Sequence, residues 1–449
     1  MPQPSGTKTV VGASSEEALE RAELERVQGR KLRAMLKEVL GSNPFYRRKF
    51  AEAGVAAEQI RTVEELARVP PTTKAELAAD QDANPPYGTN LTYPLGRYTR
   101  MHQTSGTSGQ PIRWLDTEDS WDWFLGCWQA IYRVMGLRAE DRLFFPFSFG
   151  PFLGFWGAFE AAARMRNFCL PGGGMSSAAR LRAMMDNRIT VVTCTPTYAL
   201  RLAEVSAEEK IDLAGSEVRA VVVAGEPGGS IPATRERIDK AWGARVFDHT
   251  GMTEIGAVSV ECGERPGGLH VLESEYIAEV IDPESEEAVA EGQVGELVLT
   301  NLGRWGSPLV RYRTGDLVRW DTARCACGRT WGRLVGGILG RTDDMLIVRG
   351  NNVYPSAIEG VIRKFAEVAE YQVEVSQEDA PAEVTVRIEP TKEAEGRGHA
   401  LAERVGRAIQ DTLFFRAEVV AVGSGTLPRF EHKAKRVSRV QGSGFRSGQ

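Results

Sequence analysis

Residues 104–111 read Thr104-Ser105-Gly106-Thr107-Ser108-Gly109-Gln110-Pro111. Glycines let a backbone approach a phosphate closely, and successive N–H groups and hydroxyls donate to its oxygens, so this loop can cradle a triphosphate. It lacks the Gly-Lys-Ser/Thr ending and the following helix of a Walker-type loop, and taken alone a polar hairpin loop is the competing reading. A second constellation is Cys262, His270, Cys325 and Cys327. Three thiols and one imidazole are the complement of a closed tetrahedral zinc site, which would staple two loops together. Reduced loop cysteines are the alternative, because Cys-x-Cys is a less specific spacing than Cys-x-x-Cys. Cys127, Cys169 and Cys194 stand in apolar runs and read as core.

Four more blocks follow the first loop in order. They are Gly225-Glu226-Pro227, Asp248-His249-Thr250-Gly251-Met252-Thr253-Glu254, Tyr312-Arg313-Thr314-Gly315-Asp316 and Gly340-Arg341-Thr342-Asp343-Asp344. In order and spacing the set resembles the adenylate-forming superfamily. Within it, Asn43-Pro44-Phe45-Tyr46-Arg47-Arg48-Lys49-Phe50, Pro71-Thr72-Thr73-Lys74 and Arg349-Gly350-Asn351-Asn352-Val353-Tyr354-Pro355 are similar to phenylacetate-CoA ligases. The resemblance runs along nearly the whole chain. It implies ATP-dependent activation of a carboxylic acid as an acyl adenylate, then transfer to coenzyme A with release of AMP.

The resemblance also assigns roles. Thr104, Ser105, Gly106, Thr107, Ser108 and Gly109 would be the phosphate loop, and Gly225, Glu226 and Pro227 part of the adenine pocket, with Asp248, His249 and Thr250 also at the nucleotide. The family usually carries Tyr where this chain has Thr250, which removes a stacking face for adenine; His249 is the candidate substitute. Asp316 would accept both ribose hydroxyls, a task suited to a carboxylate, although an Asp after glycine is also an ordinary turn former. Thr253 would hydrogen-bond the α-phosphate. Glu254 would hold Mg²⁺, a hard cation that prefers oxygen ligands.

Acyl transfer to ATP needs negative charge neutralised at the α-phosphorus. In Leu427-Pro428-Arg429-Phe430-Glu431-His432-Lys433-Ala434-Lys435-Arg436, Lys433 holds the place of the superfamily's catalytic lysine, with His432 replacing the usual glycine. Lys435 is the alternative, and most of the other basic side chains in the run read as surface. By the same resemblance Arg341 reaches the nucleotide and Asp343 is the hinge on which a small domain rotates between the two half-reactions. The run Phe144-Phe145-Pro146-Phe147-Ser148-Phe149-Gly150-Pro151-Phe152 aligns with the family's acyl pocket. Flat apolar walls suit an aryl acid, and Phe147, Phe149 and Gly150 are the candidates to face it.

These residues need a framework. At 449 residues the chain exceeds one ordinary core. An amphipathic helix is expected from a capping box at Ser14 and Glu17 to about residue 40, with Gly41 and Pro44 stopping it. Strands over 98–103 and 112–115 flank the first loop, and apolar runs at 190–194 and 218–223 alternate with helical patterns. Beyond residue 345 come strands near 345–348, 371–375, 384–388 and 418–422, with helices near 356–365 and 399–414. The expected fold is α/β: a large multi-subdomain amino-terminal body over 1–340 and a small mobile α+β carboxy-terminal domain over 341–449. The first dozen residues and the tail after Val440 read as frayed.

Composition narrows the function further. A net charge of −5 leaves no basic surplus for a polyanion, so no nucleic-acid partner is expected. The amino terminus has no signal-peptide core, and no run approaches the length of a membrane span, so a cytoplasmic protein with no membrane partner is expected. Homodimerisation is implied by the resemblance alone. Transfer to a carrier-protein thiol or an amine, and adenylylation of a deazaflavin coenzyme, remain alternative outcomes of the same ATP motifs. A non-catalytic nucleotide-binding regulator would be expected to lose the glutamate or the lysine, and both Glu254 and Lys433 are present.

Overall fold

A computed structural model describes residues 15–104, 111–348, 351–377, 383–431 and 433–441. They divide into two compact units, one within Met1–Met175, Ile189–Thr193 and Phe247–Gly337, the other within Ser176–Arg188, Cys194–Val246 and Ile338–Gln449.

The first unit begins with a short 3-10 turn, Ser15–Ala18, and the helix Arg21–Ser42. The helix therefore starts later than expected. Ser14 lies outside the described residues, and the Glu17 carboxylate is taken by Arg133 and Arg329. Leu24, Val27, Leu32, Met35, Leu36 and Val39 recur at helical spacing and face the core. Gly41 does not stop the helix. Asn43 ends it and at once caps the next helix, Pro44–Glu52, accepting the Tyr46 N–H at 3.1 Å with Pro44 at the first helical position.

An antiparallel ladder runs through Tyr276–Ile281, Val294–Asn301, Tyr312–Asp321, Arg333–Val335, Gly268–Val271, Gly256–Glu261 and Arg245–Met252. Arg142–Phe145 pairs in parallel with Phe168–Pro171 and Val191–Cys194. The hairpin Tyr98–Gln103 with Arg113–Thr117 stands in a separate two-stranded sheet. Trp121, Phe124, Leu125 and Trp128 of helix Glu118–Met135 are buried in this unit's core. Cys127 and Cys194 are buried as expected, whereas Cys169 is only half-buried.

The second unit contains a four-stranded sheet in the order Glu418–Ala421, Glu383–Pro390, Val368–Gln377, Val437–Gln441. Helix Gly398–Leu413 turns Leu401, Ala402, Val405 and Ile409 inward, one stripe at helical spacing. They meet Ile358 and Ile362 of helix Pro355–Ile362 and Val373, Val386 and Ile388 of the sheet in one core. Each Leu, Ile or Val among them contributes about 1.5–3 kcal/mol on burial. Helices Ser177–Asp186, Pro196–Glu208 and Pro232–Trp242 belong to the same unit. Trp242 ties two of them by donating to the Ala199 carbonyl at 3.0 Å. Among the described residues, no helix is long and apolar enough to cross a membrane.

Candidate active site

In the first unit Thr104 closes the neck of the predicted phosphate loop. Its N–H donates to the Ile112 carbonyl, and its hydroxyl accepts the Ile112 N–H, each at 3.0 Å. Ser105, Gly106, Thr107, Ser108 and Gly109 lie outside the described residues.

Asp316 sits in a bulge of its strand. Arg313 faces Val298 and Leu317 faces Glu296, so Thr314, Gly315 and Asp316 together oppose the single residue Leu297. Gly315 takes φ +75°, which a side chain would resist. Thr314 Oγ1 donates to the Leu297 carbonyl at 2.7 Å, and Glu296 accepts the Gly315 N–H at 3.0 Å. Re-aiming one side chain at a strand's edge is a common use of such a bulge.

The loop carrying Thr253 and Glu254 is held by a residue that motif reading passed over. Arg304 donates to the Thr253 and Glu254 carbonyls at 2.7 and 3.1 Å, while two of its other nitrogens pair with Asp116 at 2.7 and 2.6 Å. Both charged side chains are fully buried. The available signal was local: Asp116 is a charge between Leu115 and a helix cap, and Arg304 lies in the glycine-flanked Gly303-Arg304-Trp305-Gly306. The buried Glu254 carboxylate accepts the Tyr312 hydroxyl at 2.9 Å, and Lys74 lies 3.8 Å from the same oxygen. Carboxylate oxygens are hard donors of the kind Mg²⁺ prefers.

His249 packs in the core. Its ring centroid is 4.5 Å from that of Trp128, and Nδ1 donates to the Ser259 carbonyl at 2.7 Å. Thr250 Oγ1 lies 2.5 Å from Ser259 Oγ, and the Asp248 carboxylate accepts the His249 N–H at 3.0 Å. Burial pushes the His249 pKa down to about 4, against a smaller upward pull from the Ser259 hydrogen bond. The unfolded chain therefore binds more protons than the folded one between about pH 6.5 and 4, and stability falls as pH drops through that window. His249→Asn keeps a donor for Ser259 and removes the titration. In urea unfolding, its loss of stability between pH 7 and 5 should be smaller than wild type's by about 2 kcal/mol. An unchanged difference would refute this account of the residue.

Phe147, Phe149 and Gly150 line a half-buried aromatic cluster. Phe147 meets Phe149 and Phe155 edge-on at 5.3 and 5.7 Å, and Phe149 meets Trp156 and Phe159 at 4.7 and 5.4 Å. Trp156 Nε1 donates to the Gly150 carbonyl at 3.0 Å.

Among the described residues, Cys262, His270, Cys325 and Cys327 form a cluster whose donor atoms all lie within 4.8 Å of one another. His270 Nδ1 bonds the Trp331 carbonyl at 3.0 Å, which leaves Nε2 facing Cys327 Sγ at 3.5 Å. Fixing one ring nitrogen on a carbonyl so that the other is presented is the usual outer support of a zinc-binding histidine.

In the second unit Lys433 lies against the glycine block. A Cβ built on Gly225, at φ +95°, would come within 3.4 Å of Lys433 Cε. Glu226 accepts N–H groups from Thr197 and Ala434, and Pro227 follows it. The basic run beside Lys433 is less of a surface feature than expected. Arg436 is buried, paired with Glu370 at 2.7 and 2.9 Å, and Arg429 pairs with Glu389 and Glu204. Those partners are remote in sequence, so the run alone gave no sign of them. His432 lies outside the described residues. Arg341 donates to both carboxylate oxygens of Asp343 at 2.9 and 3.1 Å, an exposed pair of the kind that contributes little stability.

Comparison with known proteins bears on this arrangement. Residues 94–303 match the AMP-binding enzyme model, and residues 350–439 match the AMP-binding enzyme C-terminal domain. Phenylacetate-coenzyme A ligase of Thermus thermophilus is 34% identical, over 92% of this chain and 96% of its own. The chain belongs to this family. The Escherichia coli phenylacetate-coenzyme A ligase is 31% identical over 92% of this chain and 94% of its own. Among solved structures, 2-hydroxyisobutyryl-CoA ligase in its postadenylation state with 2-HIB-AMP is similar, with a TM-score of 0.91 and 30% identity over 98% of this chain and 94% of that one. Its family thus makes the chain a phenylacetate-CoA ligase-like adenylate-forming protein with the expected α/β body and small carboxy-terminal domain.

Proposed function

We propose that this chain, an AMP-forming acid–CoA ligase by family, activates an aromatic carboxylic acid as its acyl adenylate and transfers the acyl group to coenzyme A. The observation that carries the acid class is the edge-to-face cluster of Phe147, Phe149, Phe155, Trp156 and Phe159. Such a wall matches an aryl ring in shape and polarity. The relatives named for phenylacetate agree with it.

In this reading Thr104 and the loop after it receive the phosphates, Asp316 takes the ribose hydroxyls, and Thr253 bonds the α-phosphate. Glu254 holds Mg²⁺, which would neutralise charge on the phosphates. Lys433 supplies positive charge where the acid's oxygen attacks the α-phosphorus. Asp343 is the hinge of a carboxy-terminal domain over 341–449, so that Lys433 leaves before the thiol attacks. A cytoplasmic location is in keeping with the use of ATP and coenzyme A.

We assign zinc to Cys262, His270, Cys325 and Cys327 as a structural ion, on the strength of a soft donor set with a supported histidine. Elemental analysis of the purified protein should find about one zinc per chain. Cys325→Ser should release it and lower Tm by several degrees. Metal-free wild-type protein at full stability would end that assignment.

The function is tested by acid-dependent pyrophosphate release with ATP and Mg²⁺, across aryl and short aliphatic acids, each with and without coenzyme A. Release with an aryl acid and coenzyme A-dependent AMP formation is the expected result. Turnover confined to short hydroxy acids would replace the acid class. No turnover with any acid would remove the ligase assignment.

A further inference from the structure

Glu226 stands in the block assigned by resemblance to the adenine pocket, yet both its carboxylate oxygens are engaged within the protein. Oε1 accepts the Thr197 N–H at 2.9 Å, and Oε2 accepts the Ala434 N–H at 2.8 Å. Thr197 lies in the first turn of helix Pro196–Glu208, where backbone N–H groups have no intrahelical acceptor and an anion is favoured. Ala434 is the residue directly after Lys433. One carboxylate thus joins a helix terminus to the loop that carries the lysine.

A second tie reinforces the first. Thr197 Oγ1 accepts from Arg436 Nη1 at 3.0 Å, and the rest of that guanidinium is held by Glu370. The chain just after Lys433 is therefore tied to one turn of helix twice, at 434 through its backbone N–H and at 436 through its side chain. Burial raises the Glu226 carboxyl above its ordinary value, and the hydrogen bonds from Thr197 and Ala434 and the charge of Arg436 pull it back. A lysine side chain has four rotatable bonds, so the position of its ammonium is only as definite as the backbone beneath it.

We infer that Glu226 is a positioning residue for Lys433, holding the lysine-bearing loop through the Ala434 N–H for acyl-adenylate formation. The inference rests on the assignment of Lys433 to that step. It leaves neither oxygen of the Glu226 carboxylate for adenine, and it separates Glu226 from the thioester-forming step, which does not use the lysine.

The test is Glu226→Gln, whose amide NH₂ would oppose one of the two N–H donors. ATP–pyrophosphate exchange, measured with an acid that the wild type activates, should lose about 10- to 100-fold in kcat. KM for ATP and the rate of thioester formation from supplied acyl adenylate and coenzyme A should both stay within about threefold of wild type. Ala434→Pro removes the Ala434 donor itself and serves if the first variant does not fold. The double variant should lose less than the product of the two single losses, because both changes act on the Glu226–Ala434 contact. A raised KM for ATP with kcat intact would return Glu226 to the nucleotide and overturn the inference. Equal losses in both half-reactions, unchanged exchange, or additive losses in the double variant would also overturn it. Lys433→Ala is the control. If it keeps exchange activity, the lysine assignment itself fails; if it abolishes exchange while Glu226→Gln does not, only the positioning role fails.

Discussion

Replacing Lys433 by alanine is expected to reduce acid-dependent ATP–pyrophosphate exchange by about 10²- to 10³-fold or more, the usual cost of removing a preorganised charge from a transition state. Thioester formation from supplied acyl adenylate and coenzyme A should change by less than about threefold, since an interaction absent from a step cannot affect it. The reasoning starts from the attack of a carboxylate on a phosphorus already surrounded by negative oxygens. A cation there is worth most in the transition state, where charge is being redistributed. Gly225, with no side chain and φ +95°, lets the lysine stem lie against the backbone. Lys435 is the built-in comparison: Lys435→Ala should leave exchange near wild type. Equal loss of both half-reactions in Lys433→Ala would sink the domain-rotation scheme, and a larger loss in Lys435→Ala would move the catalytic charge there.

The second large effect is expected at the Arg304–Asp116 pair. Asp116→Ala leaves a guanidinium buried with an unpaired charge, and breaking such a pair on one side costs about 3–5 kcal/mol. Thermal melts should show a fall in Tm of roughly 2–4 °C for each kcal/mol lost. The same change loosens the grip of Arg304 on the Thr253 and Glu254 carbonyls, so exchange activity should fall in molecules that remain folded. Removing both charges, as in Asp116→Leu with Arg304→Met, should recover much of the stability and none of the activity, because desolvation is relieved while the loop anchor stays missing. Wild-type stability in Asp116→Ala would show that the pair does not bear on the fold.

The positions of several elements were legible in the residues. Strand Tyr98–Gln103 lies where it was expected, and the short strands and helices after residue 345 appear with shifts of a few residues at their ends. The opening helix starts later than its residues implied and runs past Gly41. Glu17 found two arginines more than a hundred residues away, and Gly41, which costs a helix only about 1 kcal/mol, was carried by the apolar face around it.

Sequence by itself determined the chemistry available to this chain: a glycine- and hydroxyl-rich loop, an Asp after a glycine able to take a positive φ, a glutamate and a lysine in ordered blocks, and three thiols with one imidazole. These are properties of residue type and local order. Only the tertiary structure decided which of them meet. Cys262, His270 and the Cys325–Cys327 turn converge because three separated segments fold into neighbouring positions. Arg436 becomes a buried anchor because Glu370 and Thr197 are waiting for it, and His249 turns into the core because Trp128 and the Ser259 carbonyl take it. A charge's environment depends on partners brought in from far along the chain, and desolvation makes that environment decisive.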